Sequence, residues 1–474
     1  MAQELRFPDG FIWGTATASY QIEGAAEEGG RGDSIWDAFS RTPGKVVNGD
    51  TGAVAVDHYH RYKEDVQLMK NMGLKYYRLS IAWPRIIPAG VGEVNEQGVN
   101  FYNRLIDELK ANDIEPLVTL YHWDLPLALQ TEYDGWCGGE FIQDAFVKYA
   151  RVCFERFGDR VKHWLTLNEP WCSALLGYGW GEHAPGRTFK GETEVYIASH
   201  NLLLAHAKAV DLYRKEFKAA QGGRIGITLN CDWREPAPTE DPQERKRNEE
   251  AAERSLLFNL GWYADPVYFG DYPEVMKQRV GNRLPEFTDD ERKLLKGSSD
   301  FFGLNHYGTG YAQPSNEFLS GAGPADGKGG FNHDEGIILT SDDAWPRTDM
   351  GWNVAPWGFE KLLLWIQNRY NPANGILVTE NGTAWPDKTK EDAQNDDFRV
   401  DFYKGYVSHM HKAMQKGADV RGYFAWSFVD NFEWAWGYGK RFGLHWVDYK
   451  TQERVPKKSA LWFRDVIKHN GFTV

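Results

Sequence analysis

The chain has 474 residues, a formal net charge of −13 at pH 7 and no Lys- or Arg-rich stripe, so we expect neither nucleic acid nor an anionic membrane as a partner. No apolar run is long enough to span a membrane, and the first ten residues contain no apolar core of a signal peptide. The four cysteines lack close pairing, which favours a reducing, cytoplasmic location over a disulfide framework.

Apolar runs of strand length alternate with segments of helical periodicity along the whole chain. The strand-like runs are 11–18, 75–82, 114–121, 163–167, 224–230, 300–305, 376–378 and 420–428. Helices are predicted over 57–72, 95–111, 140–157, 200–217, 249–262, 274–280, 355–369, 397–416 and 457–467. This alternation predicts the α/β class, and eight units without a linker predict one (β/α)8 TIM barrel domain over 1–474. Residues 308–350, rich in Gly, Pro and Asp, predict a long loop that is least structured at 321–330.

Two of the predicted strands end in a glutamate. Glu380 precedes the turn residues Asn381 and Gly382, and Glu169 precedes Pro170, which cannot continue a central strand. The C-terminal ends of parallel barrel strands open onto one face, where such barrels carry their active sites. A facing pair of carboxylates is what glycoside cleavage requires. The alternative for Glu169 is a helix cap.

Aromatic and polar side chains also follow the strand ends. They are Gln21, His122, Trp123, Asn168, Asn305, Tyr307, Trp426, Glu433 and Trp434. Turns by themselves place some Asn and Asp at strand ends, and aromatic rings also fill large cores. His122 could thus be a core histidine and Arg78 an ordinary buried counter-ion, although Glu380 is the expected partner of Arg78. Aromatic residues make up 15% of the chain, and sugar rings stack on their faces, so this rim favours a sugar site.

Motifs for other chemistries are incomplete. The Gly-Tyr-Gly-Trp-Gly segment at 177–181 is too short and wrongly placed for a dinucleotide loop, and 327–328 (Gly-Lys) lacks the spacing of a phosphate loop. Two His-x-His pairs, at 58–60 and 409–411, lie in predicted helices, where residues two apart point away from each other. We therefore expect no cofactor and no metal.

Six segments together resemble glycoside hydrolase family 1, the β-glucosidases. They are FIWGTATASYQIEGA (11–25), YRLSIAWPRI (77–86), YHWDLP (121–126), LTLNEP (165–170), ILVTENG (376–382) and NFEW (431–434). The resemblance covers essentially the whole chain in order. It implies that Glu169 is the acid/base, that Glu380 is the nucleophile, and that Arg78 and Tyr307 lie beside Glu380.

The resemblance also implies how a sugar is held. Asn168 would bind the 2-hydroxyl, with Asn305 in a matching position. The remaining hydroxyls would contact Gln21, His122, Trp123, Glu433 and Trp434, with Trp426 beneath the ring. Trp352 would form the platform for the leaving group, and Phe442, Trp171, Cys172 and Leu176 would shape the entrance. An anionic Glu433 would repel a 6-phosphosugar.

The implied activity is hydrolysis of terminal β-glucosyl residues from cellobiose, short cello-oligosaccharides or aryl β-glucosides, with retention of configuration and side activity on β-galactosides and β-fucosides. A transglycosidase that uses the same covalent intermediate is an alternative. A non-catalytic sugar-binding barrel is another, but both glutamates are present. The sequence leaves the preferred sugar, the leaving group and the oligomeric state open.

Overall fold

The computed structural model describes residues 4–316 and 330–474. Its centre is a closed barrel of eight parallel strands: β1 (Ile12–Ala16), β2 (Tyr76–Ser80), β3 (Glu115–Tyr121), β4 (His163–Asn168), β5 (Arg224–Asn230), β6 (Phe302–Asn305), β7 (Ile376–Asn381) and β8 (Val420–Trp426). The strands neighbour each other in chain order, and β8 closes the barrel against β1. The predicted (β/α)8 barrel is confirmed.

A long helix separates each strand from the next, and a last one follows β8. These helices are α1 (His58–Asn71), α2 (Glu96–Ala111), α3 (Glu140–Phe157), α4 (Gly191–Leu212), α5 (Pro242–Leu256), α6 (Pro356–Tyr370), α7 (Asp397–Gln415) and α8 (Lys458–His469); α1 and α2 flank β2, and so on along the chain. In α2, buried Tyr102, Leu105, Ile106 and Leu109 recur at helical spacing, so one face packs inward. The barrel strands are buried almost throughout, which explains their continuous apolar runs.

Shorter helices and strands connect or follow these main elements. The additional helices are Ser19–Ile22, Ile35–Arg41, Trp83–Ile86, Leu127–Tyr133, Lys218–Gln221, Trp262–Phe269, Glu274–Val280, Asp289–Leu295, Phe331–Glu335 and Lys390–Gln394. Glu4–Arg6 pairs with Gly471–Thr473, and His445–Val447 pairs with Arg454–Pro456, both antiparallel. None of the helices within 4–316 and 330–474 is long and apolar enough to cross a membrane.

The structure differs from the predicted elements in two regions. Residues 308–350 are not one long loop: Thr309–Pro314 and Ile337–Thr340 pair in a three-stranded sheet with Trp233–Pro236. The part predicted to be least structured, 321–330, lies outside the described residues except for Gly330. These strands are short and only partly buried, so they lack the apolar runs that reveal the barrel strands.

The second difference concerns helix boundaries. The helix predicted over 200–217 begins at Gly191 and becomes a wider helical turn at Tyr213–Phe217. Its first turns contain a glycine and several β-branched residues, which are weak helix formers. The segment Gly135–Cys137 packs against this helix, and the Cys137 thiol donates to the Glu194 carbonyl in the first turns. The helix predicted over 249–262 likewise begins at Pro242.

Candidate active site

The two predicted glutamates line one cavity of about 290 Å³ at the C-terminal ends of the barrel strands. Glu169 directly follows β4, and Glu380 is the penultimate residue of β7. Pairing is irregular at both places, between Leu165 and Asn168 and between Val378 and Glu380. A bulge of this kind re-aims a side chain, and it brings both carboxyls to the cavity wall.

The backbone around the cavity is held in uncommon conformations. Trp123, Glu169 and Trp434 have positive φ angles of 78°, 47° and 50°. Such angles cost about 1–3 kcal/mol each for residues other than glycine and persist only where the surroundings enforce them. Three cavity-lining side chains are therefore positioned at the expense of backbone energy.

Glu380 is 4% exposed, and both of its oxygens accept hydrogen bonds. Arg78 Nη1 donates to Oε1 at 2.7 Å, and the Tyr307 hydroxyl donates to Oε2 at 2.6 Å. Burial raises the pKa of Glu380, and the Arg78 cation and the Tyr307 hydroxyl oppose that rise. Burial and the charge of Glu380 raise the pKa of Tyr307, so its hydroxyl remains a donor. Both contacts stabilise the ionised form of Glu380.

Glu169 has a different environment. Asn305 Nδ2 donates to its Oε1 at 2.6 Å, and the Cys172 thiol donates to its Oε2 at 2.9 Å, but neither partner carries a charge. Burial, and then the negative charge of Glu380, raise the pKa of Glu169 to about 7. The cation and the hydroxyl beside Glu380 favour its ionised form, whereas burial and the charge of Glu380 favour the protonated form of Glu169.

Hydrogen bonds fix the orientation of the polar groups between the two carboxyls. Asn168 Oδ1 accepts from Arg78 Nη2 at 2.6 Å, and because a guanidinium can only donate, the amide NH₂ of Asn168 must point to His122 Nε2, 3.0 Å away. His122 is then the tautomer with its proton on Nδ1. Burial and Arg78 lower its pKa well below the ordinary value, so the ring is neutral. Among the described residues, Nδ1 has no hydrogen-bond partner.

Twelve of the fourteen predicted site residues line the cavity. The other two, Gln21 and Arg78, are fully buried behind its wall. Gln21 Nε2 donates to the Phe432 carbonyl at 2.9 Å and approaches Glu433 Oε2 at 3.5 Å, while its Oε1 is unpartnered among the described residues. The indole NH of Trp123 is donated to the Asn168 carbonyl at 2.9 Å. In this structure the indole N–H of Trp123 is thus already used within the protein.

Glu433 is a third carboxyl in the cavity wall. Burial, and then the charges of Glu380 and Glu169, raise its pKa to about 8. The prediction that an anionic Glu433 repels a phosphate applies to the ionised form and stays a prediction, and the raised pKa increases the share of the uncharged form near neutral pH. A neutral Glu433 can both donate and accept a hydrogen bond.

The cavity also contains residues that the sequence analysis did not single out. They are His183, Asn230, Cys231, Asp232, Arg234, Asn259, Met350 and Trp436. Asn230 ends β5 and Asp232 comes two residues later. Both are polar residues at the end of a strand, as Glu169 is, so they were predictable on the same ground. Among the described residues, no three or more His, Cys, Asp or Glu side chains are grouped as metal ligands.

Residues 3–472 match the family model described as Glycosyl hydrolase family 1. The chain is 48% identical to "Beta-glucosidase 4" of rice (Oryza sativa subsp. japonica) in an alignment of 473 residues, which covers 98% of this chain and 95% of the relative. It is 49% identical over 484 residues to "Beta-glucosidase 1B" of Phanerodontia chrysosporium, covering 97% of this chain and 86% of the relative.

Solved structures agree with these matches. A family 1 β-glucosidase from the fungus Humicola insolens in complex with glucose has a TM-score of 0.92 and 43% identity and covers 98% of both chains. A variant of a rice β-glucosidase in a covalent complex with glucose has a TM-score of 0.92 and 44% identity, covering 97% of this chain and 98% of that one.

Proposed function

The chain belongs to glycosyl hydrolase family 1 and is a glycoside hydrolase of the β-glucosidase type, and from this premise we propose a retaining double displacement in which Glu380 is the nucleophile and Glu169 the acid/base. Its substrates are cellobiose, short cello-oligosaccharides and aryl β-glucosides, with side activity on β-galactosides and β-fucosides. The observation that carries the proposal is the pair of carboxyls on one cavity, one paired with a cation and the other with neutral donors only.

In the first step a carboxylate oxygen of Glu380 attacks the anomeric carbon. The bond from that carbon to the leaving oxygen breaks as protonated Glu169 gives its proton to that oxygen. The products are a glycosyl ester on Glu380 and a free alcohol or sugar. Retaining enzymes hold the two carboxyls about 5–5.5 Å apart, which is the spacing expected here. The covalent glucose complex of the rice relative supports an intermediate of this kind.

In the second step water gives a proton to Glu169 and attacks the anomeric carbon, and the ester bond to Glu380 breaks. The sugar leaves with its β configuration retained. Esterification has removed the negative charge of Glu380, which is one cause of the raised pKa of Glu169. The pKa of Glu169 therefore falls when a base is needed and rises again when Glu380 is released.

The glycone side binds the sugar through the groups whose orientation the network fixes. Asn168 binds the 2-hydroxyl, a contact that strengthens in the transition state. Neutral His122 offers its Nδ1 proton, and Glu433 with Trp434 contacts the outer hydroxyls. Trp426 packs beneath the ring. Trp352 and Phe442, whose rings lie 5.9 Å apart, form the leaving-group side.

Transfer to a second sugar is the alternative outcome of the same intermediate. Asp232, Arg234 and Asn259 add polar groups to the cavity lining, which suits a hydroxylated acceptor. We also propose that 1–474 acts as one domain in the cytoplasm, without nucleic-acid or membrane partners. The four free cysteines suit a reducing compartment.

A panel of nitrophenyl glycosides and cellobiose, followed by proton NMR, tests the proposal. In the first minutes the anomeric signal of β-glucose should appear before mutarotation produces the α form. Initial release of α-glucose would exclude retention. Early appearance of a glucosyl-glucose product at high donor concentration would identify transfer, and the ratio of rates on glucoside, galactoside and fucoside gives the preferred sugar.

A further inference from the structure

Cys172 has a contact that its expected place at the entrance does not require. Its side chain is 7% exposed, and its Sγ lies 2.9 Å from Glu169 Oε2. Among the described residues it is the one cysteine whose thiol donates to a carboxylate: Cys231, in the same cavity, donates to the Asp232 carbonyl instead. The contact is thus specific to the carboxyl that the proposed mechanism uses as acid and base.

The local backbone explains why the two side chains meet. Glu169 has a positive φ, and its carbonyl accepts the backbone N–H of Cys172 at 2.9 Å and that of Ser173 at 3.3 Å. A wide helical turn over Cys172–Leu176 then follows, a form that is frequent at functional sites. The two backbone hydrogen bonds to the Glu169 carbonyl fold the chain back on Glu169, and the Cys172 thiol reaches its carboxyl.

The direction of the hydrogen bond follows from the protonation of the thiol. Burial, and then the charge of Glu169, raise the pKa of Cys172 well above its ordinary value, so the sulfur keeps its proton and donates. A thiol is a weak donor compared with a hydroxyl or an amide N–H. It orients the carboxyl without stabilising the charged form as strongly as Arg78 does for Glu380.

We propose that Cys172 is a positioning residue. Cys172 binds one oxygen of Glu169 and Asn305 binds the other, so together they fix the plane of the acid/base carboxyl relative to the leaving group. This inference rests on the proposed role of Glu169. The bond is weak enough for Glu169 to carry a proton in the first step and strong enough to orient the carboxylate that activates water in the second. Cys172 itself does not react.

The test compares Cys172→Ala, Cys172→Ser and the control Cys231→Ala by the pH dependence of kcat/KM on an aryl β-glucoside. The basic limb of this profile reports the pKa of the acid in the free enzyme. The groups that face Glu169 and Cys172 and titrate or carry charge are Glu380, Arg78, Tyr307, Glu433, Asp232 and Tyr263, and all are unchanged in the variants.

In Cys172→Ala the carboxylate loses a donor, so the basic limb should move about 0.5 pH unit upward, and kcat should fall several-fold on substrates with poor leaving groups. The stronger hydroxyl donor of Cys172→Ser should move the limb downward instead. Cys231→Ala should leave its position unchanged. Opposite shifts are not expected from a packing defect, which would affect both Cys172 variants in the same sense.

Basic limbs of Cys172→Ala and Cys172→Ser that coincide with the wild type, or move together, would overturn the inference. Cys172→Ser is nearly isosteric, and thermal unfolding of each variant shows whether it is folded; if Cys172→Ala does not fold, the downward shift in Cys172→Ser decides. Glu169→Gln separates the two proposals. If Glu169→Gln retains the wild-type basic limb, the proposed function fails. If Glu169→Gln loses the basic limb but the Cys172 variants leave it where the wild type has it, only the inference about Cys172 is overturned.

Discussion

Arg78 and Glu380 lie 302 positions apart in the sequence and form a buried ion pair of 2.7 Å across the inside of the barrel. Their strands, β2 and β7, are not neighbours. The second nitrogen of the guanidinium binds Asn168 on β4, and its Nε donates to Thr119 on β3, so one side chain connects four strands. The same cation thus positions Glu380, the proposed nucleophile, and Asn168, the residue next to the proposed acid/base.

Replacement of this cation should change activity in a pH-dependent way. In Arg78→Met the buried carboxylate loses its counter-ion, so its pKa rises and the acid limb of kcat/KM moves to higher pH, with a loss of at least about 100-fold at neutral pH. Arg85→Met is the matched control, because Arg85 is also buried and paired, with Glu23 at 2.7 Å. It should lower stability and leave the acid limb in place. An unshifted limb in Arg78→Met would contradict the role of Arg78.

Glu380→Ala tests the nucleophile directly. Activity should fall almost to zero, and azide should restore part of it by entering the space of the lost carboxylate. The product should then be the α-glucosyl azide, because a single displacement inverts the anomeric centre. The measurement is nitrophenol release with product analysis by NMR, with wild type plus azide as the control. Full activity without azide would remove Glu380 from the mechanism.

Glu433→Ala tests recognition of the outer hydroxyls. If Glu433 contacts the 6-hydroxyl, its loss should reduce kcat/KM on a β-galactoside more than on a β-fucoside, which differs from the galactoside only in lacking the 6-hydroxyl. The galactoside-to-fucoside ratio should fall about tenfold, the value of one good hydrogen bond. The fucoside serves as the internal control for folding. An unchanged ratio would place the 6-hydroxyl elsewhere.

Asp124 gives a stability prediction with a defined sign. Its Oδ2 accepts from Ser19 Oγ at 2.5 Å, and Oδ1 has no partner among the described residues. Burial raises its pKa to about 7. Between pH 4 and pH 7 the unfolded chain releases the proton first, so the free energy of unfolding falls as pH rises, by about 2–4 kcal/mol in total.

In Asp124→Asn the free energy of unfolding should no longer fall between pH 4 and pH 7. In denaturant unfolding, the variant should therefore gain stability relative to wild type between pH 5 and pH 8. Asp65→Asn is a control of opposite sign. Burial raises the pKa of Asp65, but its hydrogen bond to His58 and the charge of Arg454 outweigh burial and lower it. Asp65→Asn should therefore cost stability at every pH above about 4. Parallel pH profiles for wild type and Asp124→Asn would refute the prediction.

Much of the fold was predictable because the barrel strands are buried on both faces. Runs such as 114–121 and 224–230 are continuous and apolar, and the structure has strands at Glu115–Tyr121 and Arg224–Asn230. The strands at Thr309–Pro314 and Ile337–Thr340 were not predictable in the same way, since short strands that are not buried throughout, in a Gly- and Pro-rich region, lack that signal.

The sequence by itself determined the barrel, the two glutamates at strand ends and the rim of aromatic and amide side chains. These features follow from the spacing of apolar residues and the order of segments, which can be read along the chain. Only the tertiary structure decided which groups face each carboxyl: the Arg78 cation beside Glu380, the neutral Cys172 and Asn305 beside Glu169, and the burial and neighbouring carboxyls that raise the pKa of Glu433. Protonation depends on burial and on charges from distant strands, and those distances exist only once the barrel has closed.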